Sequence, residues 1–269
     1  MDEAVQSTND WMAAIRAHET ARADRYLRDP YATLLTGPDP EGTLAALRAM
    51  NSPVDIVIVR GRFGDEALTR ALARGVRQAV SLGAGTDTRG YRLDLPEDLV
   101  LYELDLPGRL AAKHHVLATA GLTPSCRISP VETDLRGDWT SALAAAGHRP
   151  DRPTAWIVEG LFYYLDPATA DTLLGQLTAR SAPGSSVQLD IPADDYLTDP
   201  ANTEWLAYLV ERGSPFLGHT ADPTGWLAGH GWTAESYQPT TLDTCPWLPP
   251  PPARLTSSYR HLWHVHATR

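Results

Sequence analysis

The sequence predicts an α/β fold: a mainly parallel sheet with helices on both faces. Three observations carry that prediction. From residue 76 onward, short apolar runs alternate with helical stretches, the pattern of strands joined by crossover helices. The first run, Ala79-Val80-Ser81-Leu82, leads into a glycine turn, Gly83-Ala84-Gly85. Four runs carry an acid at or just after their C-terminal end: Asp105, Asp134, Glu159 and Asp190. Ligands of such sheets bind beyond the carboxyl ends of the strands, so recurring acids there mark that edge as a candidate site.

Each element has its own warrant. Residues 8 to 35 read as helical, because Trp11, Met12, Ile15, Ala21, Tyr26 and Leu27 recur near the helical period, and Asp29-Pro30 closes the helix. Gly37-Pro38-Asp39-Pro40 is a loop, followed by helices over 41–50 and about 54–74, the second ended by Gly75. Val76 to Leu82 is a strand, 83–90 a loop and 99–105 the next strand. A helix over 107–120 stops at Gly121, and a short strand at 126–130 runs out near Val131-Glu132-Thr133-Asp134. Residues 138–146 are helical, and Thr154 to Glu159 form a buried strand. A helix over about 167–180 stops at Pro183-Gly184, and Ser186 to Asp190 form a further strand.

Past Asp190 the alternation loosens. Glu204 to Arg212 places Trp205, Tyr208 and Leu209 on one helical face, as a packing helix or a lid would. Asp222-Pro223 starts a short helix that carries Trp226 and Leu227 and ends between Gly229 and Gly231. Pro249 to Pro252 form a stiff connection, and His261 to His266 a final strand. His264 and His266 share one face of that strand, but no carboxylate or cysteine stands close in sequence to complete a metal site, and none is expected. His114-His115, inside a helix, are read the same way. The whole chain, 1–269, is expected to be one domain: a helical cap (1–74), a ligand-binding core (75–190) and a lid-like segment with closing strands (191–269).

Composition narrows the function. Hydrophobic residues make up 43% of the chain, which indicates a packed globular core. A formal net charge of −10 argues against a general nucleic-acid or anionic-membrane binder, because phosphate contacts need a basic surface. No apolar run approaches the length of a bilayer span. Cys126 and Cys245 form neither a CxxC pair nor zinc spacing and read as unpaired thiols in a reducing cytoplasm. The acidic opening Met1-Asp2-Glu3 is unlike a secretion signal.

The glycine turn followed by the acid-tipped strand Leu99 to Asp105 suits a nucleotide or nucleoside. Glycines let the backbone approach the ligand, and an acid on the next strand can hold a ribose diol. The third glycine of the dinucleotide fingerprint is missing, which weakens an NAD-linked dehydrogenase reading.

Several separated motifs, in order, resemble the leucine carboxyl methyltransferase family of class I S-adenosylmethionine-dependent methyltransferases, and in particular its actinobacterial and polyketide-pathway members. Ala13 to Glu19 and Arg28-Asp29-Pro30-Tyr31-Ala32 resemble the family's N-terminal helix, and Arg60-Gly61-Arg62-Phe63 its arginine motif. Leu82 to Arg89 resembles its Gly-Ala-Gly-x-Asp-Thr-Arg loop, and Tyr102 to Pro107 its second-strand acid motif. Asp134-Leu135, Glu159-Gly160-Leu161, and Trp226-Leu227 with Gly231-Trp232 match later segments. Ser81 stands where many class I enzymes carry an acid, a departure shared with the carboxyl methyltransferase branch.

The resemblance implies a Rossmann-like sheet, mostly parallel with an antiparallel strand near the C-terminus, beneath an N-terminal helical cap. It implies S-adenosylmethionine as cofactor and S-adenosylhomocysteine as product. Arg60 would pair with the carboxylate of the cofactor's methionine part, whose planar shape matches a guanidinium. Gly83 and Gly85, with Ala84 and Asp87 in the same loop, would pass under the cofactor. Asp105 would accept from the ribose hydroxyls, with Glu103 the alternative if the register is shifted. Asp134 and Leu135 would flank the adenine, and Glu159, followed by Gly160, would receive the α-amino group.

A carboxylate substrate is ionised at neutral pH and needs no general base, whereas a phenol with a pKa of about 10 would gain from one. The sequence contains no convincing His–carboxylate dyad. The expected activity is therefore O-methylation of a small carboxylic acid to its methyl ester. Tyr163, Tyr164, Trp205 and Tyr208 are candidate substrate walls. Residues 191–220 and the N-terminal helices should shape the pocket. The competing activities are methylation of a phenol or enol, and a cofactor-binding fold that promotes cyclisation without methyl transfer.

Overall fold

The computed structural model describes residues 2–256 and 260–269. Helices α1 (Asp2–Ala21), α2 (Pro40–Ala49) and α3 (Asp55–Ala73) precede the first strand and form the cap. The alternating part follows: β1 (Gln78–Leu82), α4 (Arg89–Arg92), β2 (Val100–Asp105), α5 (Arg109–Thr119), β3 (Arg127–Glu132), α6 (Trp139–Ala145), β4 (Ala155–Val158), α7 (Pro167–Thr178) and β5 (Ser186–Pro192). The chain closes with α8 (Thr203–Glu211), α9 (Pro223–Gly229), β6 (Thr233–Tyr237), α10 (Ala253–Thr256) and β7 (Leu262–Thr268). Three helices start on the same chemistry. Asp39, Asp166 and Asp222 each accept backbone N–H bonds as N-caps, and a proline fills the first helical position.

The sheet has seven strands in the order β3-β2-β1-β4-β5-β7-β6. Strands β1 to β5 are parallel, and β7 lies antiparallel between β5 and β6. Strand order reverses at β1, whose neighbours are β2 and β4. That is the switch point, where the loops after adjacent strands leave in opposite directions and open a crevice. Every residue of β1 and β4 is buried, as expected of central parallel strands covered on both faces. One core cluster joins the cap to the sheet through Trp11, Ile15, Leu47, Val57 and Phe63. A second lies under α6 and α7, where Trp139 and Trp156 meet edge-on with centroids 6.3 Å apart.

Two departures from the sequence expectation have physical causes. The first helix ends at Ala21 instead of running to Asp29. Glu19 and Asp29 are both 1% exposed, and the turn between them brings each its donors. Glu19 accepts the Tyr26 N–H at 2.6 Å and pairs with Arg254 at 2.9 Å. Asp29 accepts from Arg16 Nε at 2.9 Å, the Thr88 hydroxyl at 2.6 Å and the Ala32 N–H at 3.1 Å. A continuous helix would have left buried carboxylates short of partners. The strand β6 was not anticipated, because Thr-Ala-Glu-Ser-Tyr is polar and only partly covered, and it is held by pairing with β7.

Candidate active site

The carboxyl ends of β1, β2 and β4 meet the underside of α1 and α3 around a cavity of about 500 Å³. Its floor is the glycine turn. Gly83 (φ 69°) and Gly85 (φ 44°) occupy left-handed backbone space that side chains disfavour. The N–H groups of Gly83 and Ala84 donate to Leu104 O at 2.9 and 3.0 Å, and that of Gly85 donates to Asp105 Oδ2 at 2.6 Å. The turn is therefore clamped to β2. A Cβ on Gly85 would lie 2.8 Å from Asn9 Oδ1, so α1 also packs directly onto it.

Charged groups line this end. Asp87 is paired with Arg89 at 2.8 Å; burial opposes its ionisation, but Arg89, Arg92 and Lys113 outweigh that and hold it below the usual carboxylate range. Asp134, at the rim, is held low by hydrogen bonds from Arg136. Glu159 accepts from Arg89 Nη2 at 2.9 Å and from Gln188 Nε2 at 2.5 Å. Burial pushes its pKa up, against the pull of Arg89. Arg60 reaches in from α3, 3.4 Å from Asp190 Oδ2 and 3.1 Å from the Met12 sulfur. Burial opposes its charge, and Asp190, Tyr163, Glu159 and Tyr164 together more than compensate. Asp190 also accepts the Gly160 N–H at 2.7 Å and the Tyr163 hydroxyl at 2.7 Å.

The other end is apolar and aromatic. Tyr163 and Tyr164 stand on a 3₁₀ turn after β4, Trp205 comes from α8 and Trp11 from α1. Phe216 joins them, its ring 4.9 Å from that of Tyr163 and 5.4 Å from that of Tyr164. The loop carrying Phe216 is pinned by the N–H groups of Leu217 and Gly218, which both donate to Tyr163 O, at 2.7 and 3.1 Å.

The cavity thus gathers Arg60, Gly83, Ala84, Gly85, Asp87, Asp105, Asp134, Leu135, Glu159, Gly160, Tyr163, Tyr164 and Trp205, all named from the sequence. Two candidates lie outside it. Glu103 is 1% exposed, and its carboxylate is engaged by Lys113 Nζ at 2.8 Å and His114 Nε2 at 2.9 Å, beneath α5. Tyr208 stacks on Trp205 with centroids 5.9 Å apart, and the Arg212 guanidinium lies over the Tyr208 ring, 5.1 Å from its centroid. It supports the wall without forming it. Phe216 carries no periodic signal in the sequence, where Asp190 stands only as a strand-end acid. Its position at the tip of β5 was visible, but its bonds to Arg60, Gly160 and Tyr163 join segments far apart in the chain.

A profile of the leucine carboxyl methyltransferase family matches residues 10–178. The chain belongs to that family. A relative from Streptomyces avermitilis, assigned as an S-adenosyl-L-methionine-dependent methyltransferase, is 37% identical over 257 residues, with 87% of each chain covered. One from Frankia alni with the same assignment is 42% identical over 227 residues, covering 82% of this chain and 80% of its own. Among solved structures, a protein from Thermobifida fusca assigned as a methyltransferase superposes with a TM-score of 0.59 at 16% identity, covering 95% and 94% of the two chains. A DUF574 family protein from Streptomyces avermitilis gives a TM-score of 0.59 at 17% identity, covering 96% of each. These two likenesses speak for the fold alone.

This leucine carboxyl methyltransferase family member is an S-adenosylmethionine-dependent methyltransferase with a class I Rossmann-like fold. Its donor set suits that cofactor: a cradle without Cβ atoms, acids for a diol and an ammonium, and a guanidinium for a carboxylate. Among the described residues, no group of three or more His, Cys, Asp or Glu could hold a metal ion, and no helix is long and apolar enough to cross a membrane.

Proposed function

We propose that this methyltransferase converts the carboxylate of a small, largely apolar acid into its methyl ester. The observation that carries this reading is the make-up of the cavity wall. Among the described residues, no histidine or lysine lines it. Its acids are already engaged: Asp87 by Arg89, Asp105 by the Gly85 N–H, Asp134 by Arg136, and Glu159 by Arg89 and Gln188. Its tyrosines stay protonated at neutral pH and offer no base, since burial pushes Tyr164 up to about 12 and Tyr163 well above its ordinary value. A phenol would need a base that this wall does not offer, whereas a carboxylate arrives ionised.

When bound, S-adenosylmethionine supplies a methyl group on a cationic sulfonium. In this reading Arg60 pairs with the methionine carboxylate, Glu159 with the α-amino group and Asp105 with the ribose diol. Asp134 accepts from the adenine amine beside Leu135, while Gly83, Ala84, Gly85, Asp87 and Gly160 provide the close-fitting backbone. Trp11, Tyr163, Tyr164, Trp205 and Phe216 exclude water and orient the acceptor. Positioning of this kind supplies a large part of catalysis, on the order of several kcal/mol. The two unpaired buried thiols, Cys126 and Cys245, are consistent with a reducing, cytoplasmic setting.

The test is incubation of the purified protein with S-adenosylmethionine and matched panels of apolar acids, phenols and amides, read by mass spectrometry. Formation of base-labile methyl esters from acids is expected. Methylation of phenols alone, at rates that climb with pH, would overturn the reading.

A further inference from the structure

Glu159 is held by two partners, which come from two segments far apart in the chain. Arg89 Nη2 and Gln188 Nε2 both donate to the same oxygen, Oε1, at 2.9 and 2.5 Å. Arg89 has no freedom to move. Its Nη1 donates to Asp87 at 2.8 Å, its Nε to Asp65 at 3.3 Å, and its side chain is 2% exposed. A planar guanidinium can hold three carboxylates at fixed angles in this way, and a lysine ammonium cannot.

Gln188 is 2% exposed on β5, and its Oε1 has no hydrogen-bond partner. A buried unpaired carbonyl is a penalty that leucine at this position would not carry. The return for it is the amide donor at Glu159. Turning the amide over would set two acceptors against each other, so the orientation is fixed by the carboxylate.

Gly64 provides the space. It lies inside α3, where glycine is a poor helix former, yet a Cβ there would fall 2.1 Å from Glu159 Oε1, 2.7 Å from Gln188 Nε2 and 3.1 Å from Arg89 Nη2. Any side chain at this position would push the three groups apart.

We propose that Arg89 and Gln188 are positioning residues that fasten Glu159 by Oε1 and present Oε2 to the cavity, that Gly64 is the gap permitting their convergence, and that this arrangement sets the site's selectivity for a ligand bearing an α-ammonium group. The proposal rests on the reading of Glu159 as the partner of the cofactor's amino group. Burial favours the protonated, non-binding carboxyl, and Arg89, with Arg60, pulls against it.

The experiment is calorimetric titration with S-adenosylhomocysteine and with 5′-methylthioadenosine, which keeps the nucleoside and thioether but lacks the amino-acid part. Wild type, Glu159→Gln, Gln188→Met and Gly64→Ala are compared between about pH 6 and 8. Gln188→Met and Gly64→Ala are expected to weaken S-adenosylhomocysteine about tenfold and leave methylthioadenosine within about twofold, the size of one lost charge-assisted contact. The loss should deepen on acidification, because a Glu159 with fewer donors protonates at higher pH. Equal weakening of both ligands, or unchanged selectivity in both variants, overturns the proposal. If Glu159→Gln itself leaves the selectivity unchanged, the amino-group reading is what fails. If only Glu159→Gln lowers it, that reading stands and the positioning roles fall.

Discussion

Asp105 Oδ2 accepts the Gly85 N–H at 2.6 Å, so the acid that ends the second strand clamps the glycine turn that follows the first. Asp105 Oδ1 takes the N–H of Leu106 at 2.7 Å. One carboxylate thus sets the floor of the cavity and borders it, and in the proposed function it also holds the ribose. Asp105→Ala should weaken S-adenosylhomocysteine binding by about 1–3 kcal/mol, roughly ten- to a hundredfold, for loss of a polar anchor. Asp105→Asn keeps an acceptor for one of the two N–H groups and should lose less. Calorimetry on both variants checks this, and unchanged affinity in the alanine variant would rule out the ribose assignment.

The fold was legible because its signals are local. Alternating apolar runs, Asp-Pro helix starts and glycine stops each lie within a few residues, and they locate all five parallel strands. The acids at the strand ends were legible for the same reason. What the sequence hid was long-range pairing. Glu103 and Asp105 share a strand face, and only the packing of Lys113 and His114 against Glu103 separates the buried ion from the one that borders the cavity. Phe216 lies in an irregular stretch without periodicity, and its place in the wall depends on backbone bonds to Tyr163. The overrun of the first helix has the same origin, since Asp29 turns inward to meet Thr88, 59 residues away.

Gly218 is the tightest point of the aromatic end. A Cβ there would lie 1.9 Å from Phe162 O and 2.7 Å from Leu165 O, both backbone atoms that cannot swing aside. Gly218→Ala should destabilise the protein by about 1–3 kcal/mol, as overpacking does, and shift Phe216 from the wall. S-adenosylhomocysteine, at the other end, should bind within about threefold of wild type, a change under 1 kcal/mol. Denaturant melts and calorimetry together decide it; a large loss of cofactor affinity would mean that the two ends of the cavity are not independent.

Three buried imidazoles make stability depend on pH. His148, His264 and His266 have their pKa held down to about 4, in each case by burial first. Unfolded histidine titrates at about 6.5. The folded rings stay neutral while the unfolded ones take up protons, so the stability they contribute is present above about pH 6.5 and is lost as pH falls toward about 4. With three extra protons bound by the unfolded chain, the slope should reach about 4 kcal/mol per pH unit. Urea unfolding at about pH 7, 6 and 5 measures it, and His148→Gln should remove about a third of the slope. A flat stability over that range would contradict the argument.

The Tyr163 hydroxyl donates to Asp190 Oδ2 at 2.7 Å inside a site where Asp190 is 1% exposed. Its proton is already committed, and losing it would place a phenolate beside a carboxylate. Burial and Asp190 together push its pKa well above the ordinary value, so the phenol has no route to act as a base. Tyr163→Phe should therefore leave the pH profile of ester formation unchanged. It should lower stability by about 1–3 kcal/mol, because Asp190 stays buried with one donor fewer. Thermal or urea denaturation reads the second effect, and the pH–rate profile of the two proteins reads the first. Loss of an alkaline limb in the phenylalanine variant would assign Tyr163 a proton-transfer role and reopen the phenol as substrate.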